Sequence, residues 1–216
     1  MLLSSVEFAS FLAYSVRGAE PAQHESQRWM RYLKNESIVP GTQESASSFF
    51  VRRLAERRDE TPFVTWISPH AVLVPAPSSR LLKPGSLWVP LKLANAMVNS
   101  GLGRRVETWL ERTEAIPKAA WSKAEDRPSV RRQYDTLRMK LPVMPSDEVV
   151  VVDDVVTRGA TLLAAVSRVR EALPGARVVG FAMLRALSEP AEFAEMFSPC
   201  IGRIELDQDG HTTRRP

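Results

Sequence analysis

The stretch from Glu148 to Leu184 restricts the fold more than any other part of the chain. Residues 148–152 read EVVVV, an apolar and β-branched run of the kind that fits a pleated, buried surface. Two carboxylates, Asp153 and Asp154, follow it, and then the turn Thr157-Arg-Gly-Ala-Thr161. Leu162, Val166, Val169 and Leu173 recur at spacings of four, three and four, which predicts a helix from about Ala160 to Leu173. Pro174-Gly175 stops it, and ARVVGFAML (176–184) reads as a second strand. Two apolar strands joined by one helix predict an α/β chain with a parallel sheet covered on both faces.

The flanking segments are read with the same rules. Residues 1–60 read as a helical N-terminal cap, with helices over 24–35 and 45–60, and residues 61–216 as the core domain. Arg52, Arg53, Arg57 and Arg58 read as a solvated helix face. FVTWI and AVLV (63–74) are β-rich, Val89–Asn99 is helical, and VETWL (106–110), YDTLRM and IGRIEL are candidate strands. Residues 112–133 form a long basic stretch without a period, which suits a functional loop.

Composition excludes several classes. A single cysteine, Cys200, rules out an intrachain disulfide, and His24, His70 and His211 lack the spacing of zinc ligands. Glu7 interrupts the first apolar run, no basic residue precedes it, and no apolar segment reaches the length of a membrane span, so a cytoplasmic, non-membrane protein is expected. A net charge of +4 suits an anionic ligand and leaves nucleic acid open as a partner.

The acidic pair and the turn after it supply complementary chemistry. Ligands of parallel α/β sheets sit outside the carboxyl ends of the strands. Carboxylates there accept hydrogen bonds from a vicinal diol, and a helix N-terminus with free N–H groups receives a phosphate. Gly159 lets the backbone come close, and Thr157 and Thr161 add hydroxyls. Together they suit a sugar carrying a 5′-phosphate. The alternative is a buried strand followed by a capped helix, with the aspartates as turn residues. GxxxxGK[ST] and GxGxxG are both absent, which removes the P-loop and dinucleotide readings.

VVVVDDVVTRGAT (149–161) resembles the phosphoribosyl-pyrophosphate (PRPP) signature of type I phosphoribosyltransferases: four apolar residues, two acidic ones, and a turn rich in Thr and Gly. The resemblance extends more loosely over residues 71–187 and is closest to the ComF-like branch, through VPAPSSR and ERTEAIPKAAWSKAEDRPSV. It implies a parallel-sheet, Rossmann-like phosphoribosyltransferase fold and transfer of 5-phosphoribosyl from PRPP to a nitrogen acceptor such as a nucleobase. It also implies roles by position. Asp153 and Asp154 would hold the ribose hydroxyls, and Thr157, Arg158, Gly159, Ala160 and Thr161 the 5′-phosphate. Ala76, Pro77 and Ser78 would form the pyrophosphate loop, and Lys118, Lys123 and Arg127 would close over the leaving group. Mg²⁺ would bridge the pyrophosphate and the sugar hydroxyls beside the two aspartates. Tyr14, Arg17 and Trp29 are candidates for a base-binding hood, and Arg185 for a site-facing cation. The family's four-cysteine zinc ribbon has no counterpart here, and Lys118 stands where its members usually carry Gln. A non-catalytic PRPP sensor of the same fold is the alternative function, and the family's habit of pairing leaves a homodimer open.

Overall fold

The computed structural model describes residues 1–117, 128–140 and 144–216. In chain order the elements are β1 (Ser5–Ser15), α1 (Pro21–Asn35), α2 (Ala46–Glu56), β2 (Val72–Pro75), α3 (Val89–Asn99), β3 (Arg105–Val106), β4 (Leu110–Arg112), α4 (Val130–Asp135), β5 (Leu137–Met139), β6 (Glu148–Val156), α5 (Ala160–Ala172), β7 (Arg177–Leu187), β8 (Phe197–Leu206) and β9 (Thr212–Arg215). Seven strands form one sheet in the order β3-β2-β6-β7-β1-β8-β9, and β4 and β5 pair separately. The first five of these run parallel; β8 and β9 add antiparallel at one edge. The chain is therefore α/β with a mostly parallel central sheet, compatible with a Rossmann-like fold.

Two apolar layers cover the sheet. Alternate residues of a strand face opposite sides, and β6 shows this directly. Val150 and Val152 pack with Leu33, Val51, Leu93 and Met97 from α1, α2 and α3. Val149 and Val151 pack with Leu162, Val166 and Val169 of α5 and with Tyr134 and Leu137. All four valines are buried, each worth about 1.5 kcal/mol or more in removed apolar surface. Among the described residues no helix is long and apolar enough to cross a membrane.

The N-terminal reading needs correction. Residues 1–60 do not form a helical cap throughout: Ser5–Ser15 is a strand, seated between β7 and β8. Phe8 lies opposite Gly180 on one side and Gly202 on the other. The boundary expected at residue 60 therefore falls inside a structure whose sheet draws on both segments. The two helices after β1 are present, as α1 and α2. Arg52 and Arg53 of α2 face solvent, where Arg52 pairs with Glu44 and Glu56 and Arg53 with Glu56, and Arg57 just beyond the helix pairs with Glu60; Arg58 instead turns inward, donating to Val64 O and Ile67 O with its Nε buried.

Other expected strands shift. FVTWI is a turn: Trp66 N–H bonds Phe63 O at 2.9 Å, while Phe63 and Ile67 are still buried. VETWL divides between β3 and β4, and Tyr134 and Asp135 belong to α4 rather than to a strand.

Candidate functional site

The sheet has a switch point between its neighbours β2 and β6. From β2 the chain leaves through α3 to β3 on one side; from β6 it leaves through α5 to β7 on the other. A crevice opens where two such connections diverge. A cleft of about 180 Å³ lies at the carboxyl end of β6, lined by Asp153, Val155, Val156 and all of Thr157–Thr161. Its other walls are Pro128–Val130 and Gln133, at the start of α4, and Asp209–Thr212, at the turn between β8 and β9.

Gly159 builds the floor. It is the residue before α5 and has φ +90°, a left-handed conformation open to glycine and strained for side chains. A Cβ there would lie 2.5 Å from Ile204 Cδ1 on β8, so the loop also sits against the sheet edge too closely for a side chain. The backbone amides that begin α5 are thereby held at the cleft. Thr157 and Arg158 are exposed around it.

The two aspartates part company. Sequence reading ends the strand before them, but β6 continues to Val156, so the alternation of faces runs through the pair. Asp153 lies on the α5 side and lines the cleft. Asp154 is buried on the α1–α3 side, where Lys34 Nζ bonds its Oδ1 at 2.7 Å. A single ribose diol held on both carboxylates is not what this arrangement presents. Burial, then the charge of Asp154, pushes Asp153 up to about 7, against the opposing pull of Lys34. Burial would lower the Lys34 ammonium, but Asp154, then Asp153 and the hydrogen bond to Asp154, together raise it.

That ion pair joins the end of α1 to β6, and it yields a prediction. Lys34→Met leaves Asp154 buried without its cation. Loss of one partner of a fully buried pair costs 3–5 kcal/mol. With the lysine side chain 45% exposed, we expect about 2 kcal/mol, read as a drop of about 4–8 °C in melting temperature. Melting equal to wild type would show that the pair contributes nothing.

The remaining expected residues scatter. Ala76, Pro77 and Ser78 follow β2 at the switch point, yet none of them lines the cleft. Ala76 N–H bonds Val152 O at 2.8 Å, its carbonyl accepts from Trp88 Nε1 at 2.8 Å, and Ser78 O accepts from Arg112 Nε at 2.9 Å. The loop is thus anchored through one N–H and two carbonyls of its backbone. Lys118, Lys123 and Arg127 lie outside the described residues. Tyr14 is buried in the core, and Trp29 stacks on Phe49 at 5.3 Å, so both serve packing rather than an open hood; Arg17 is exposed. Arg185 is buried against Ser10 and Ser198, not turned into the cleft.

Sequence reading missed the walls from α4 and from the β8–β9 turn. The one available signal was local: DQDG (207–210) forms a turn in which Asp207 Oδ1 accepts from Asp209 N–H at 3.0 Å and His211 N–H at 2.8 Å. Nothing local places that turn beside Gly159.

Compared with known proteins, the chain matches no family model and no curated sequence.

Proposed function

We propose that this protein is a phosphoribosyltransferase of the type I kind, which binds PRPP and transfers its 5-phosphoribosyl group to a nitrogen acceptor, with pyrophosphate leaving. The observation that carries the reading is that Asp153 and the whole of Thr157–Thr161 share one cleft at the carboxyl end of a parallel strand. A carboxyl beside a helix N-terminus gives an acceptor for a sugar hydroxyl and N–H donors for a phosphate within reach of one small ligand. In the reaction the C1′–O bond to pyrophosphate breaks and a C1′–N bond forms. Thr157, Thr161 and the amides before α5 anchor the phosphate end, and Asp153 accepts from a ribose hydroxyl. Fixing the sugar in this way removes much of the entropic barrier to attack.

Mg²⁺ fits this donor set. No group of three or more His, Cys, Asp or Glu side chains that would hold a metal occurs among the described residues. The cleft carboxylates Asp153 and Asp209 are too few to cage a metal on their own, which suits an ion bound mostly through ligand phosphates and water. When bound, the ion supplies positive charge against the pyrophosphate.

A second reading is a PRPP-binding protein without turnover. It is favoured by one observation, the engagement of Asp154 with Lys34 away from the cleft. One assay distinguishes them: melting with PRPP and Mg²⁺, beside pyrophosphate release over a panel of nitrogen acceptors. Ligand at 100 times its Kd stabilises by about 2.7 kcal/mol. Stabilisation with release supports the transferase, and stabilisation without release supports the binding protein. No stabilisation at millimolar PRPP would overturn both.

A further inference from the structure

Gln133 stands on α4 with 3% of its surface exposed, and it lines the cleft with Asp153. Its Oε1 accepts from Nη2 of Arg112 at 3.0 Å. A guanidinium only donates, so the amide must present its oxygen to Arg112 and turn Nε2 the other way. Arg112 is itself fixed by Ser78 O at 2.9 Å and Thr136 Oγ1 at 2.6 Å, all neutral acceptors, and has no carboxylate partner among the described residues. Burial pushes its pKa down to about 10, so it stays charged at neutral pH.

The other side of the amide is unspent. Nε2 of Gln133 makes no hydrogen bond to any described residue. Among the described residues the donors sealed away without partners belong to Arg58, Arg185 and Arg214, and Gln133 Nε2 is not one of them. A buried glutamine that lines the cleft thus has a free N–H pair, beside the Asp153 and Asp209 carboxyls, Arg158, His211, hydroxyls and helix amides that line it too.

We propose that Gln133 is a ligand-binding residue, donating from Nε2 to a phosphate oxygen of the sugar phosphate in this cleft, and that Arg112 is the positioning residue that fixes the sense of its amide. The inference rests on the phosphoribosyl reading of the site. It gives the phosphate a side-chain donor from α4 facing the backbone donors of α5, so that the anion is held from two sides.

The test uses ribose 5-phosphate, inorganic phosphate and the full chain. Gln133→Glu keeps an oxygen for Arg112 and adds an ion pair, so the fold is retained, but it replaces the donor with a negative charge. Calorimetry is expected to show the affinity for both ligands falling by about tenfold or more, with the unliganded melting temperature not lowered. Binding within about twofold of wild type overturns the proposal, since a lost charged hydrogen bond costs more than that.

A wild-type readout keeps the test independent of any variant's folding. The side-chain amide signals of Gln133 in a ¹H–¹⁵N spectrum, assigned by their loss in Gln133→Met, are expected to shift on titration with ribose 5-phosphate. In Arg112→Lys that shift is expected to disappear, because the amide is free to turn. Ribose 5-phosphate binding with unmoved Gln133 signals overturns this inference and leaves the phosphoribosyl reading standing. A wild-type protein that binds neither ribose 5-phosphate nor PRPP brings down both.

Discussion

Gly159→Ala is expected to destabilise the protein by about 3 kcal/mol and to abolish binding of ribose 5-phosphate. Two costs add. An alanine held at φ +90° meets the Cβ–carbonyl clash of the left-handed region, about 1–2 kcal/mol. The new methyl also lands 2.5–2.8 Å from three atoms of Ile204, and overpacking of this kind costs about 1–3 kcal/mol. Ile204 is fully buried in the α5-side core, so its side chain has little room to give way. For a chain of this size the sum corresponds to a fall of about 6–12 °C in melting temperature. The relief available to the variant is to move the loop, and moving it shifts the amides at the start of α5. Calorimetry with ribose 5-phosphate then separates the reading from plain destabilisation: at a temperature where the variant remains folded, binding should still be lost. A folded variant that binds normally would show that the loop is not the phosphate seat.

Asp153→Asn is expected to make the unliganded protein more stable at pH 8, while removing its response to PRPP. Asp153 ordinarily titrates near 3.8 and is pushed up to about 7 in the fold. Between those two values the folded protein holds a proton that the unfolded chain has released, so stability falls as pH rises through this window. The full shift would correspond to about 4 kcal/mol. Asp153 is partly open to solvent and Lys34 pulls against the rise, so about half of that, about 2 kcal/mol, is the expected gain for the neutral variant at pH 8. At pH 4 the gain should vanish. Asparagine retains an Oδ1 for the Asp154 N–H that Asp153 accepts at 2.9 Å, so no donor is orphaned. Chemical denaturation of both proteins at pH 4, 6 and 8 checks the trend. A stability difference that does not change with pH would show that Asp153 titrates normally. A carboxylate kept at a stability cost beside a helix N-terminus is the expected signature of a residue retained for a ligand.

Much of the fold could be read where the pattern is local. The β6–α5–β7 unit carries its own period and its own stop at Pro174-Gly175, and α3 lies at Val89–Asn99 as read. β1 could not be read in this way. It is covered on both faces, so SVEFASFLAYS shows no alternation, and its partners β7 and β8 lie far along the chain. Phe63 and Ile67 show the opposite error: β-rich composition in a segment that buries two side chains from a turn.

The site divides along the same line. Residues contiguous with Asp153 were found because they follow one strand into one helix. The end of that strand was misplaced by four residues, and with it the face of Asp154, because two acids look like a strand terminator until the ladder to Val155 and Val156 is seen. Gln133 and His211 were invisible because their place in the cleft depends on how α4 and the β8–β9 turn dock, which no local period encodes.

The position of β1 also has a consequence for biosynthesis. As the chain leaves the ribosome, FASFLAYS emerges long before the strand that lies alongside it, opposite Phe8 at Gly180. Until then an almost wholly apolar ribbon stands with both edges bare, which invites pairing with other nascent chains. Slow synthesis or an early stop should therefore yield aggregates rather than a smaller folded product, and yield in cells should depend on the supply of holdase chaperones.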